Sequence, residues 1–283
     1  MTSFIQNTNF FAGNNPEEIA SEYGTPVYVY NEKILRDRMS KVAKVITKYP
    51  YTANYSVKAN TNIHILKLAL EEGLNCDAMS VGEITLLMKA GFPVERIFFV
   101  PNNVAPCELA FALENGVMTS LDSLSQLELF GEVCNQMEIA PENRKCAVRI
   151  NPGVGAGHHE KVVTGGKKTK FGIAEYSIPQ IFEIAEKYQI TIAGINQHIG
   201  SLFMDPQPYL DAVTNLLRIA HQFKNLEFID FGGGYGIPYH KLDDEKDFPM
   251  EDFKSRLEPM LDEFVASYGK APLFKSEPGR YCV

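Results

Sequence analysis

The chain has 283 residues, 45% of them hydrophobic, and a formal net charge of −8. This length suits one large α/β domain or two small ones, and the apolar content excludes a chain that is disordered throughout. The negative charge argues against nucleic acid or an anionic membrane as the main partner.

The amino terminus and the cysteines indicate the compartment. The first residues, MTSFIQNTNFFAGN, lack the basic start and long apolar run of a signal peptide, and no apolar stretch approaches the length of a membrane span. The five cysteines are scattered and form no CxxC pair, which indicates neither a metal site nor a disulfide framework. We therefore expect a cytoplasmic protein with reduced thiols, no metal and no membrane partner.

Two predicted elements precede the repeating part of the chain. The run PVYVY (26–30) is strand-like and has no obvious partner, whereas NEKILRDRMSKVAKVITKYP (31–50) has the spacing of a helix. We assign residues 1–31 to a separate amino-terminal segment and residues 32–283 to one barrel domain.

Eight short β-branched or aromatic runs follow, separated by mostly helical stretches with apolar residues at three- and four-residue spacing. Within SVGEITLLMKAG, Ser80 and Glu83 predict a capping box and Gly91 a helix end. Alternating strands and helices predict parallel pairing, and eight strands predict a closed (β/α)8 TIM barrel whose outer ring is completed by the helix at 31–50. The eight runs are YTANYSV, LNCDAM, RIFFV, GVMTSL, KCAVRIN, TIAGINQHI, LEFIDF and APLFKSE.

Polar residues end almost every run, where the reacting groups of such barrels lie. Lys58 ends the first run, and it is either a solvated strand end or a desolvated amine that is nucleophilic enough to form a Schiff base. Asp122 is more typical of a helix N-cap than of a catalyst. The other residues at these ends are Asp77, Asn102, Arg149, Asn151, His198, Glu277 and Arg280.

The stretch FIDFGGGYGIPY is the strongest local signal after the lysine. Gly232, Gly233 and Gly234 follow a buried strand, so their backbone N–H groups are able to approach a phosphate closely, or they form only a tight turn. A dinucleotide fingerprint fails, because its third glycine would fall on Ile237.

The remaining strand ends suggest the rest of one ligand. Glu277 would be costly at the end of a buried strand unless it meets a cation or strong donor, such as a protonated pyridine nitrogen. His198 is either a satisfied core residue or a flat ring that stacks on an aromatic cofactor, and Ser201 is able to donate to a phosphate. An aldehyde for Lys58, an aromatic nitrogen and a phosphate together describe pyridoxal 5'-phosphate.

These residues lie in motifs that resemble the alanine-racemase-like (fold-type III) pyridoxal-phosphate enzymes, most closely the diaminopimelate decarboxylase family. The resemblance covers nearly the whole chain, in the family's order. The matching segments are YSVKAN, CDAMSVGE, RINPGVGAGHHEKVVTGGKKTKFG, QHIGS, DFGGGYGIPY and EPGR.

The resemblance implies a role for each matching residue. Lys58 would carry the cofactor, His198 would stack on its ring and Glu277 would pair with its nitrogen, and these three form the catalytic set. Arg280 would bind a substrate carboxylate. The loop at 153–172 would cover the mouth, with His158 and His159 solvated in it. The implied cofactor-binding residues are Lys58, Asp77, Arg149, His198, Ser201, Gly233, Gly234, Glu277, Pro278, Gly279 and Arg280.

The resemblance also implies an activity, the decarboxylation of meso-diaminopimelate to L-lysine by a homodimer. In the family, a cysteine on a carboxyl-terminal β-domain of the partner subunit supplies a proton, and the amino-terminal strand joins that β-domain. Since the sequence stops just after the eighth run, we expect this barrel alone to be inactive and Cys282 not to be that cysteine. The alternatives are a decarboxylase of ornithine, arginine or carrier-bound glutamate, or a non-catalytic protein of cofactor homeostasis; the long 153–172 loop favours the enzyme.

Overall fold

The computed structural model describes residues 8–151, 153, 170–239 and 246–283. Its strands are β1 Tyr51–Ser56, β2 Asn75–Ala78, β3 Ile97–Phe99, β4 Met118–Leu121, β5 Lys145–Asn151, β6 Ile173–Ala174, β7 Thr191–Asn196, β8 Phe228–Asp230 and β9 Leu273–Ser276. The helices of the described residues are α1 Pro16–Tyr23, α2 Glu32–Val42, α3 Ile63–Glu71, α4 Val81–Ala90, α5 Pro106–Glu114, α6 Leu124–Gln136, α7 Ile178–Tyr188, α8 Gln207–Ala220 and α9 Met250–Tyr268.

Eight parallel strands close into one ring, in the order β1, β2, β3, β4, β5, β7, β8, β9 and back to β1. These are the eight runs predicted from the sequence, so the predicted (β/α)8 barrel is confirmed. The two-residue strand β6 pairs with β5 beside the ring. It was not predicted, because two residues are too few to show an alternation.

Helix α2 occupies the gap in the outer ring between the last helix and α3. Its Arg36 forms ion pairs with Glu71 and Glu72 at the end of α3. On the other side, Tyr49 just after α2 donates to Asp262 in α9 at 2.5 Å. No helix in the described residues is long and apolar enough to cross a membrane.

The predicted strand at 26–30 is absent. These residues form no strand within the described chain, and Tyr28 is 92% exposed. A lone extended segment needs a sheet edge to pair with, and a closed ring of strands offers none.

The interior of the barrel is polar where most such barrels are apolar. Alternation along a strand points every second side chain inward, and two hydrogen bonds span the interior across an intervening strand. Asn54 Nδ2 donates to Asp230 Oδ2 at 3.1 Å, and Ser120 Oγ donates to Asn196 Oδ1 at 2.6 Å. A small apolar cluster accompanies these polar groups; it includes Phe98, Val100, Ala147 and Phe228.

Candidate functional site

Lys58 lies in the short turn Val57–Ala59 that follows β1. Its amine donates to Met79 Sδ at 3.7 Å, and the buried Tyr55 beneath it donates to the carbonyl of Asn60 at 3.0 Å. Of the two alternatives for Lys58, the desolvated amine is not found, since the residue is exposed. The turn carries the lysine beyond the buried strand to the open mouth of the barrel.

Glu277 follows β9 and is 4% exposed, and its Oε1 has no hydrogen-bond partner in the described part of the chain. Burial raises the pKa of Glu277 well above its usual range, and the carboxyls of Asp230 and Asp77 raise it further. The positive charges of Lys58 and Arg149 lower the same pKa. Because a buried carboxyl oxygen without a donor is costly, this position suits a ligand that brings a cationic N–H.

Asp77 and Arg149 flank this carboxyl. Asp77 is fully buried and accepts a hydrogen bond from Ser56 Oγ at 2.5 Å. Burial raises the pKa of Asp77, and the positive charge of Lys58 acts in the opposite direction. Arg149 donates to Asn102 Oδ1 at 3.3 Å, so Asn102 binds the arginine rather than serving only as a turn residue.

The predicted N-cap at Asp122 is wrong by one residue. Ser123 caps α6, accepting from the backbone N–H of Gln126 at 3.2 Å. Asp122 is half-buried. Burial lowers the pKa of Arg149, and the charges of Glu277 and Asp122 oppose that effect. Ser and Asp are equally good caps, so the sequence does not distinguish the two adjacent residues.

His198 follows β7 and lies near the two cations of the mouth, Lys58 and Arg149. Burial lowers the pKa of its imidazole well below the usual range, and Lys58 and Arg149 lower it further. The ring is therefore neutral near pH 7, which leaves a flat and uncharged face for stacking.

The glycine-rich turn after β8 packs against the chain's own backbone. A Cβ at Gly233 would overlap the carbonyl of Glu277, and one at Gly232 would overlap the carbonyl of Gln197. Gly232 and Gly234 also have φ of +75° and +117°, which disfavours other residues. Glycine is thus required here by packing, whether or not an anion binds.

Arg280 brings together the turns that follow β7 and β9. Its Nε donates to Ser201 Oγ at 3.3 Å, and its Nη1 contacts the hydroxyl of Tyr239. Pro278 and Gly279 join this turn to β1. The Pro278 carbonyl accepts from Ser56 N at 3.1 Å, and a Cβ at Gly279 would lie 3.0 Å from Ser56 Cβ.

The site contains residues that were not predicted from the sequence, and one predicted feature lies largely outside the described residues. Tyr239 ends the matching segment DFGGGYGIPY but was not assigned a role, and Asp230 and Lys275 stood in the predicted seventh and eighth strands at inward positions. The loop at 153–172, with His158 and His159, lies largely outside the described residues. Asn151 contacts the residues at its described ends, donating to Phe171 O at 3.2 Å and accepting from Gly153 N at 3.0 Å.

The residues present fit pyridoxal phosphate. The orphaned oxygen of Glu277 is matched by a protonated pyridine nitrogen, which is a cationic donor. Lys58 offers a primary amine at the same mouth, and the turns carrying Ser201 and Arg280 offer a hydroxyl and a guanidinium for a phosphate or carboxylate.

Comparison with known proteins agrees with this chemistry. The family model of the pyridoxal binding domain of pyridoxal-dependent decarboxylases matches residues 32–283. The diaminopimelate decarboxylase of Methanothermobacter thermautotrophicus is 40% identical over 279 residues, which cover 96% of this chain and 63% of that protein. That of Aquifex aeolicus is 32% identical over 277 residues, with 96% and 63% covered. The chain therefore spans just under two thirds of these relatives.

Solved structures of the same name are similar in fold. Diaminopimelate decarboxylase from Helicobacter pylori complexed with L-lysine has a TM-score of 0.85 at 27% identity, with 95% of this chain and 67% of that chain covered. The enzyme from M. jannaschii in co-complex with L-lysine has a TM-score of 0.84 at 26% identity, with 96% and 64% covered.

Proposed function

This chain belongs to the pyridoxal-dependent decarboxylases, and from that premise we propose that it serves the decarboxylation of meso-diaminopimelate to L-lysine. The named relatives at 40% and 32% identity support this substrate. The observation that carries the proposal is Glu277, a buried carboxyl that shares the mouth with Lys58 and Arg149 and has one oxygen without a hydrogen-bond partner among the described residues.

The proposed roles at the cofactor follow from the positions of three side chains. When bound, pyridoxal phosphate supplies an amine-reactive aldehyde and an electron-accepting ring that stabilises the charge left by departing CO2. Lys58 would hold the aldehyde carbon covalently, since its exposed amine is free to reach a ligand at the mouth. Glu277 would retain a proton on the ring nitrogen, and neutral His198 would cover one face of the ring.

The remaining residues would bind anions and fix the three groups. The backbone of Gly233 and Gly234 and the hydroxyl of Ser201 would bind the phosphate, and Arg280 would bind a substrate carboxylate beside it. Pro278 and Gly279 would hold the turn against β1.

Asp77 and Arg149 would act as charged supports of the same site. Arg149 would oppose the charge of Glu277, and Asp77 would orient Lys58. The opposite effects of the two residues on the pKa of Glu277 support this assignment.

We also propose that residues 1–31 belong to a second, β-rich unit and that the complete enzyme is a cytoplasmic homodimer. The five free thiols suit a reducing compartment. The barrel by itself should turn over slowly, because Lys58 is open to water. Cys282 is buried, and burial raises the pKa of its thiol to about 12, which does not suit it to proton transfer at the mouth.

The test is a decarboxylation panel on the cofactor-loaded 283-residue chain and, in parallel, on the natural gene product that contains it. CO2 release and L-lysine formation are measured with meso-diaminopimelate, ornithine and arginine. Preference for meso-diaminopimelate supports the proposal. Preference for ornithine or arginine indicates a related decarboxylase, and cofactor binding without turnover in both proteins indicates a non-catalytic binding protein.

A further inference from the structure

Strands β8 and β9 place a carboxylate and an amine side by side inside the barrel. Asp230 and Lys275 are direct partners in the ladder, with 0% and 9% exposure. Lys275 also precedes Glu277 by two residues, and both are buried. Continued alternation just beyond the end of β9 at Ser276 therefore points both side chains inward, with their Cα atoms roughly 6–7 Å apart. The Lys275 amine thus lies further from the mouth than the Glu277 carboxyl, which is assigned to the cofactor nitrogen.

Lys275 is held by aromatic rings rather than by a close ion pair. Its Nζ lies 3.9 Å from the ring centroid of Phe228 and 4.9 Å from that of Phe98. No carboxylate in the described residues lies within 4.0 Å of it. Cation–π contacts favour a charged amine. Burial lowers the pKa of Lys275, and the charges of Asp230 and Glu277 offset only part of that effect.

Asp230 connects this amine to the glycine-rich turn. Its Oδ1 accepts from the N–H of Gly232 at 2.9 Å, and its Oδ2 accepts from Asn54 at 3.1 Å. The backbone N–H of Glu277 donates in turn to the carbonyl of Gly232 at 2.9 Å. One carboxylate therefore positions the turn that holds the Glu277 backbone.

The difficulty in this arrangement is the number of buried acids. Three carboxyls share the interior. The charge of Asp77 raises the pKa of Asp230, and the charges of Asp230 and Asp77 raise the pKa of Glu277. Ionising all three without nearby cations would be costly, because a buried charge is stable only when compensated. Lys58 is assigned to the cofactor, which itself brings a phosphate, so Arg149 and Lys275 are the remaining cations beside these carboxyls in the described interior. The three acids are Asp77, Asp230 and Glu277.

We propose that Lys275 is a positioning residue, a buried cation that allows Asp230 and Glu277 to be ionised together, so that Asp230 holds the glycine turn while Glu277 holds the ring proton. This rests on the role proposed above for Glu277. The charged groups that act on Lys275 are Asp230 on β8, Glu277 after β9 and Glu227 before β8. Those that act on Glu277 are Asp230, Asp77, Lys58 and Arg149.

The first measurement is thermal unfolding of wild type, Lys275→Met and a control, Lys145→Met, from about pH 5 to about pH 8. Methionine keeps the length and packs on the rings, whereas Lys145 pairs with Glu227 at the exposed foot of the barrel. We expect the Tm deficit of Lys275→Met to grow with pH by roughly 2–4 °C or more, because the acids of wild type ionise beside a cation, whereas those of the variant ionise without one or stay protonated. A deficit that is equal at every pH would overturn the proposal, since a residue that only fills space has no pH dependence.

The second measurement is the 15N chemical shift of the ring nitrogen in 15N-labelled pyridoxal phosphate bound to each protein. Wild type and Lys145→Met should give the shift of a protonated pyridine, and Lys275→Met should move towards the unprotonated value. An unchanged shift in Lys275→Met would contradict the proposed link to Glu277.

A double variant keeps the proposal testable if Lys275→Met does not fold. Adding Asp230→Asn should restore folding and remove most of the pH-dependent deficit, because the amide still accepts from Gly232 without needing a cation. If the double variant is as unstable as the single one, the proposed compensation of Asp230 by Lys275 is wrong. Neither measurement uses an amino-acid substrate, so a failure of the proposed decarboxylation leaves both results interpretable.

Discussion

At the scale of single residues, the site contains groups whose burial in the barrel lowers the stability of the fold. Glu277 is buried near two other acids, and one of its oxygens has no partner in the part of the chain that the structure describes, whereas Lys58 is exposed. This contrast has a physical reason: Glu277 comes directly after the last residue of β9, whereas Lys58 lies in the turn Val57–Ala59 beyond β1. A protein retains such a buried group when its function requires it, often at the expense of stability.

The exposed amine of Lys58 leads to a direct labelling experiment. Borohydride treatment of the cofactor-loaded protein should fix the cofactor on Lys58, and peptide mass spectrometry should locate it there. Lys58→Ala should lose the adduct completely, whereas Lys67→Ala, at an exposed lysine on α3, should keep it. An adduct on another lysine in the wild-type protein would refute the assignment.

Glu277→Gln should separate stability from activity. The amide needs no compensating cation, so we expect a higher Tm than wild type near pH 8. Turnover should fall by roughly 10²-fold, within the range that a positioned proton donor or acceptor contributes, with a smaller effect on KM. Tm and steady-state kinetics of the complete enzyme measure both, with Glu277→Asp as the charge-retaining control. Unchanged turnover would mean that the ring nitrogen faces another group.

At the scale of elements, the turns after the strands do most of the positioning. The capping box predicted for α4 is only half confirmed. Ser80 accepts from Glu83 N at 3.2 Å, but the Glu83 carboxylate accepts from Met79 N at 2.6 Å rather than from Ser80 N. Gly91 ends the helix in the left-handed region. The turn after β8 is more constrained, because Gly233 packs directly on the Glu277 carbonyl. The same glycine therefore serves the fold and the proposed phosphate site.

Gly233→Ala should lower stability and cofactor affinity together. The added Cβ must displace the Glu277 backbone, which we expect to cost about 1–3 kcal/mol. Gly82→Ala in α4 is the matched control, because its nearest neighbour would be Ser80 Oγ at 3.7 Å and alanine favours a helix. Urea unfolding and cofactor titration measure the two effects. Normal behaviour of Gly233→Ala would show that the turn readily rearranges.

At the scale of the whole molecule, the polar barrel interior links stability to pH. Burial raises the pKa of Asp230 from 3.8 to about 7, so below about pH 7 the folded state holds a proton that the unfolded state releases. The ionised Asp230 that Lys275 is proposed to compensate therefore forms only near and above that pH. Such a group stabilises the fold when protonated, and that contribution is lost as pH rises from about 4 through about 7. The direction is opposite to that of exposed ion-paired carboxyls such as Glu175, whose pKa is lowered by Arg218.

Asp230→Asn should therefore flatten the dependence of stability on pH between about pH 5 and about pH 8. The free energy of unfolding, measured by urea at several pH values, gives the slope for both proteins. Asp262→Asn is a suitable control, since this exposed carboxyl has a lowered pKa and should leave the slope unchanged over this range. Equal slopes for Asp230→Asn and wild type would show that Asp230 is ionised throughout.

The sequence by itself determined the barrel. Strand and helix patterns are local signals, and eight of them in alternation are accommodated by parallel pairing in a closed ring. The sequence also indicated Lys58, Glu277 and the glycine turn, since their residue types are unusual at strand ends. Only the tertiary structure decided that Lys58 is exposed, that Ser123 rather than Asp122 caps α6, and that residues 26–30 do not pair. It alone brought Asp230 beside Lys275, because the register between two strands 45 residues apart in the chain depends on closure of the ring and not on any local pattern.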